Sequence, residues 1–138
     1  FKRYKMLKFE DDKLVISNRF ICLEDLKINR ASLGLFQCKK DIINNFSNNN
    51  DLIIYDVPNT DTGLMPEASK NMTEATFYTD NGEITVKINK GYEHEKYMGY
   101  IVNFNDQNRL KIYFDYIKGS TLVNTGDILQ TEFEISIK

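Results

Sequence analysis

Residues 73–90, TEATFYTDNGEITVKINK, decide the fold class. Ile84, Val86 and Ile88 take turns with Glu83, Thr85 and Lys87, and side chains of an extended chain point alternately to opposite sides. The pattern describes a strand with one face on a core and the other in water. Residues 75–79 read as its partner. Between the two, Asp80-Asn81-Gly82 contains Asn-Gly, the pair that best tolerates positive φ at both centres of a type I′ turn. The stretch is therefore a β-hairpin.

The same rhythm continues on both sides. Phe133, Ile135 and Ile137 alternate with Glu132, Glu134 and Ser136 in a last strand over 128–138. Tyr100, Val102 and Phe104 share one side of 97–105, and Leu110, Ile112, Phe114 and Tyr116 line the next strand after the turn Asp106-Gln107-Asn108. Gly119-Ser120 and Asn124-Thr125-Gly126-Asp127 punctuate the chain between that strand and the last one. Towards the N-terminus, strands over 4–9 and 14–17 flank the polar turn Glu10-Asp11-Asp12-Lys13. From 23 to 46 the alternation blurs. There Leu35, Cys38 or Lys39, Ile42 and Phe46 fall at roughly helical spacing, which predicts one short helix over 36–46. Asn48-Asn49-Asn50 ends it, and 52–57 is an apolar run of strand length stopping at Pro58. Residues 58–72 hold both prolines and form the longest loop. The expected architecture is an antiparallel β-sandwich or jelly roll of about seven to nine strands with one short helix. It forms a single domain over 1–138, with the 58–72 loop as its one candidate boundary.

Composition narrows the function classes. A formal net charge of −2 removes the general basicity that draws a chain onto nucleic acid or anionic membrane, so neither is an expected partner. Only the opening is basic: Lys2, Arg3, Lys5 and Lys8 interleave with Phe1, Tyr4, Met6 and Phe9. It reads as a solvated strand whose lysines guard a sheet edge, in preference to a phosphate-contacting strip. No apolar run approaches the roughly 20 residues of a membrane helix. Two cysteines, Cys22 and Cys38, read as free buried thiols rather than a disulfide. With a single histidine they cannot complete a four-ligand zinc cage without carboxylates, so neither a metal nor a cofactor is expected. Asn45-Phe46-Ser47 and Asn71-Met72-Thr73 match the glycosylation triplet, as happens by chance in an Asn-rich chain. The chain opens at Phe1, which suits part of a larger protein or assembly.

Candidate chemistry is sparse. His94, between Glu93 and Glu95, is the one group whose ordinary pKa lies near neutrality. A hydrolase built on it needs a carboxylate within hydrogen-bond reach in a cleft. Asp11-Asp12 and Glu24-Asp25 sit in turns or helix starts, where carboxylates cap or solvate. Asn59-Thr60-Asp61-Thr62-Gly63 spaces oxygen ligands like a calcium loop but lacks its terminal glutamate. The tyrosines carry more. Tyr92 and Tyr97 lie in or beside the 90–96 connection, and Tyr113 falls out of phase with the core positions of its strand. These three are the candidate ligand-binding residues, because an exposed tyrosine ring stacks on sugars or anchors a protein partner. Tyr100 and Tyr116 fall in phase with the core.

Thr62-Gly63-Leu64-Met65-Pro66-Glu67-Ala68-Ser69-Lys70 resembles the short linker of tail-fibre and baseplate proteins of bacterial viruses. In those proteins a Gly-(Leu/Phe)-Met-(Ser/Pro) core precedes a polar, Lys-containing stretch and a β-structured module. Ser69-Lys70-Asn71-Met72 stands here where that pattern carries an Asp-Lys pair and a Lys-Leu-Asp. The resemblance implies a non-catalytic, trimeric component of a virion or extracellular surface. Its expected partners are other copies, neighbouring proteins of the assembly, or surface glycan. The alternatives are a small inhibitor or immunity-type protein-binding domain, marked by a clustered acidic face, and the His94 hydrolase.

Overall fold

The computed structural model describes residues 1–49, 51–54, 63–64, 72–90, 98–104 and 107–138. Eleven strands lie among them: β1 (Lys2–Glu10), β2 (Lys13–Ile21), β3 (Leu26–Lys39), β4 (Asn45–Asn48), β5 (Asp51–Ile54), β6 (Gly63–Leu64), β7 (Glu74–Thr79), β8 (Gly82–Lys90), β9 (Met98–Phe104), β10 (Arg109–Val123) and β11 (Ile128–Ile137). They form a seven-stranded antiparallel sheet in the order β1-β2-β11-β8-β7-β4-β5 and a four-stranded one in the order β3-β10-β9-β6. The excess over the expected number comes from β3, β4 and β6.

The two sheets close on one apolar layer. Phe46, Ala75, Phe77, Val86 and Phe133 of the large sheet are buried with Leu110 and Ile112 of the small one, and Phe36 and Cys38 pack against them. Phe36 stacks on Phe77 across the gap, with ring centroids 5.7 Å apart and planes 21° apart. The fold is thus a β-sandwich. Ile84, Val86, Ile88, Phe133 and Ile135 all belong to this layer, as their alternation requires, whereas Ile137 at the strand end is exposed.

Two chain crossings run side by side at one end. The β2–β3 corner and the β10–β11 corner bond to each other: Cys22 N–H donates to Asp127 O at 2.9 Å and Gly126 N–H to Cys22 O at 2.8 Å. The Asp25 carboxylate accepts from the Thr125 N–H at 2.7 Å and from its hydroxyl at 2.9 Å. Those two donors hold the Asp25 carboxyl below its ordinary pKa. Beneath the corners Cys22, Val123 and Leu129 make a second small core.

Four expectations need correction. No helix forms over 36–46: residues 36–39 finish β3, a turn follows, and β4 begins at Asn45. The side chains turned to the core are partly buried Phe36 and Cys38 on a two-residue period, then fully buried Ile43 and Phe46, while Leu35 and Ile42 are exposed. The helical spacing arises from joining the two faces of a strand to the far side of a turn. Gly119-Ser120 does not end a strand, because β10 runs through it with bulged register against β3. In the 73–90 hairpin the two-residue turn is Asp80-Asn81, flanked by the pair Thr79 and Gly82, and neither turn residue has positive φ. Gly82 is required for another reason. Its φ is +137°, and a Cβ there would collide with the Lys138 carbonyl. The chain end is bonded at this point, with Glu83 N–H to Lys138 O at 2.8 Å and the reverse bond at 2.9 Å.

The phase of β9 is the fourth correction. Antiparallel register sets Ile101 opposite buried Ile112 and Asn103 opposite buried Leu110, whereas Val102 is registered with half-buried Lys111 and Phe104 with exposed Arg109. The row of Tyr100, Val102 and Phe104 is therefore not the one registered with the core positions of β10. Apolar residues at both parities hide this in the sequence.

Candidate functional site: a concave polar sheet face

Directly opposed residues in an antiparallel sheet share a face, so the register of the large sheet writes out its outward surface. One row runs Lys13–Ser136–Thr85–Thr76–Ser47 across β2, β11, β8, β7 and β4. The next row reads Glu134–Lys87–Glu74, and on the other side Glu83–Tyr78–Asn45. A sheet with its core on the far side normally leaves this surface flat and wet. Here the rows line a concavity of about 730 Å³.

The floor is made of hydroxyl groups. Ser47, Thr76 and Ser136 retain only 9, 9 and 8 % of their exposure although they point away from the core. Thr76 and Thr85 hydroxyls lie 2.9 Å apart, and the Ser47 hydroxyl is 3.4 Å from the Tyr78 phenol. Each hydroxyl carries one donor and two acceptor positions, so these contacts leave capacity facing the concavity. Tyr78 supplies a half-buried ring at one side.

The walls are charged and balanced: Lys13, Lys87 and Lys138 against Glu74, Glu83 and Glu134. Lys87 pairs with Glu74 at 3.4 Å, and Lys13 with Glu134 at 3.4 Å. Asn89 donates its side-chain amide to Glu134 at 2.8 Å. That hydrogen bond outweighs the opposing cost of burial and, with the lesser help of the Lys13 bond and the Lys13 and Lys87 charges, holds the Glu134 carboxyl below its ordinary pKa. The carboxylate is accordingly a fixed acceptor at neutral pH. An arrangement with rows of hydroxyls, an amide, charges of both signs and one phenol suits a ligand rich in hydroxyls better than a strongly charged one.

Of the residues singled out in the sequence, Tyr92, Tyr97 and His94 lie outside the described residues, as does the 59–62 segment. Tyr113 is half-buried on the outward face of the small sheet, registered with Tyr100 and Leu35, so it belongs to a surface other than the concavity. Beside it Lys111 lies over the Phe104 ring at 4.3 Å. Cys22 and Cys38 are free thiols, and burial pushes the Cys38 thiol up to about 12. Among the described residues no three His, Cys, Asp or Glu side chains converge on a metal position, and no helix is long and apolar enough to cross a membrane. Comparison with family models, curated proteins and solved structures finds no match to this chain. The sequence carries one signal of the concavity: outward positions of adjacent strands hold Ser and Thr (Thr76, Thr85, Ser136) where long charged side chains usually stand.

Proposed function

We propose that this chain is a non-catalytic attachment module that holds a hydroxyl-rich ligand, a surface glycan, on the concave outward face of its seven-stranded sheet. The hydroxyl floor carries the reading. Ser47, Thr76 and Ser136 lie low in a concavity walled by equal numbers of lysines and glutamates. Sugar hydroxyls both donate and accept, and a floor of side-chain hydroxyls can do the same for either orientation of each bond. Glu134, kept ionised, offers a charge-assisted acceptor, and Tyr78 offers a ring for stacking. The balanced walls give no long-range field to draw a polyanion, and they lack the clustered acidic surface that an inhibitor of basic proteins would use.

The setting of the module in a virus tail or comparable surface assembly rests on the 62–70 linker alone. Isothermal titration with bacterial surface-polysaccharide fragments tests the site. Binding weakened at least tenfold by Tyr78→Ala and by Thr76→Val/Thr85→Val, and little changed between low and moderate salt, supports it. Equal affinity in the variants, or absence of binding alongside turnover of a substrate, rejects it.

A further inference from the structure

Among the described residues β1 is the edge of the large sheet, and the strand paired with it is β2. All nine of its residues are exposed, on both faces of the strand. Of the eleven large apolar side chains exposed among the described residues, five fall in residues 1–9: Phe1, Tyr4, Met6, Leu7 and Phe9, the last retaining 81 % of its exposure. A long edge strand of this kind is a template for another strand unless charges forbid pairing. Which partner those charges permit can be worked out from the sequence of β1.

A second copy that extends the sheet antiparallel about a two-fold axis normal to it keeps each face on its own side, so residues of equal parity must oppose. With the axis through Met6, the midpoint of β1, all nine residues pair. Lys2 meets Glu10 of the other copy, Arg3 meets Phe9, Tyr4 meets Lys8, Lys5 meets Leu7, and Met6 meets itself. Every cation then faces a carboxylate, an aromatic ring or an aliphatic side chain, the pairings that favour cross-strand contact. Moving the axis to Lys5 sets Lys5 against Lys5 and Lys2 against Lys8. Moving it to Tyr4 sets Arg3 against Lys5. Like charges directly opposed are destabilising, so the lysines exclude the registers centred on Lys5 and Tyr4; a register centred on Leu7 opposes no like charges but pairs only residues 4–10, so the Met6 register alone joins the whole strand and sets Lys2 against Glu10.

We infer that this protein self-associates as a two-fold dimer through antiparallel β1–β1 pairing centred on Met6, joining two seven-stranded sheets into one. Both outward faces then lie on the same side. If the concave face is the ligand site, two sites are presented together to a polymer, and the second engagement becomes intramolecular. The dimer itself does not depend on that reading.

Cysteine substitution reads the register. Opposed Cα atoms in an antiparallel pair lie about 4.5–5.5 Å apart, within disulfide reach. On mild oxidation Met6→Cys is expected to give a covalent dimer by itself. Tyr4→Cys or Lys8→Cys alone is expected to stay uncrosslinked, and a mixture of the two to crosslink. In sedimentation equilibrium, Lys2→Glu or Glu10→Lys should each raise the dimer Kd roughly tenfold or more, because each places two like-charge pairs in the symmetric interface. The double exchange Lys2→Glu/Glu10→Lys should return it to within about threefold of the starting value. Circular dichroism checks that each variant is folded, as expected for side chains outside the core. A protein monomeric up to about 0.5 mM, a dimer indifferent to these exchanges, or crosslinking of Tyr4→Cys to itself would overturn the inference.

Discussion

Replacing Phe77 by alanine removes the residue that ties the two sheets together. Its ring is wholly buried, stacked on Phe36 of β3 at 5.7 Å and tilted 44° against Phe46 of β4 at 5.9 Å. Truncating a buried phenylalanine costs about 3–5 kcal/mol, part of it for the cavity left behind. That is a large share of the roughly 5–15 kcal/mol that holds a domain folded. Phe36 is only partly buried and should cost less, about 2–3 kcal/mol. The two share one contact, so their effects should not add. Aromatic pairs contribute about 0.5–1.5 kcal/mol beyond their burial, and the double variant should be less destabilised than the sum by about that amount. Urea unfolding of the four proteins, compared at equal slope, measures this coupling. Should Phe77→Ala leave too little folded protein, Phe77→Leu removes the ring with less loss of volume and serves in the same cycle. Additivity within about 0.3 kcal/mol would mean that β3 does not lie over β7, and the sandwich arrangement would be wrong.

Thr76→Val or Thr85→Val alone leaves one hydroxyl of the 2.9 Å pair without its mate and should cost about 1 kcal/mol, whereas the double variant should cost less than the sum, because valine suits a strand and no orphan remains. For Glu134 the pKa lies lower in the folded chain than in the unfolded one, so its contribution is complete above the ordinary glutamate range and is lost as pH falls through the depressed value. The stability difference between the natural protein and Glu134→Gln, about 1 kcal/mol at pH 7, should therefore shrink towards zero as chemical denaturation is repeated below pH of about 4. A difference constant down to pH of about 2 would contradict the assignment. The Cys38 thiol, pushed up to about 12, should react with a disulfide reagent at about pH 8 far more slowly than an exposed thiol, and at the free-thiol rate once the chain is unfolded in urea.

Much of the fold is legible wherever one face of a strand is wet. Residues 73–90 and 128–138 alternate cleanly because β7, β8 and β11 are interior strands of a sheet covered on one side only. The N-terminal hairpin is legible at its turn, but its strands run longer than their pattern suggests, since β1 buries nothing and leaves no apolar face to read. β3 is illegible for the opposite reason. It pairs with β10 through three register irregularities and carries apolar residues at both parities, so no single period survives along its 14 residues. Of the concave face, sequence shows only the Thr76–Thr85 pair of the 73–90 hairpin and the small outward residue Ser136. Ser47 and Ser136 are far from that hairpin in the chain, and only the pairing of β4 with β7 and of β11 with β8 puts all four in one row. Tyr78, which joins that row through Ser47, looks in sequence like any other strand residue, whereas Tyr113 is legible as pointing away from its buried neighbour Ile112.

The attachment reading stands or falls on where a glycan touches the large sheet. Amide and methyl NMR shifts of the isotope-labelled protein, followed during titration with surface-polysaccharide fragments, report this residue by residue. Saturable shifts centred on Thr76, Thr85, Asn89, Glu134 and Ser136, with Tyr113 and Leu35 on the other sheet unmoved, are the expected result. Shifts confined to the small sheet, or a spectrum that ignores every fragment while the protein still adheres to the intact surface, would contradict it.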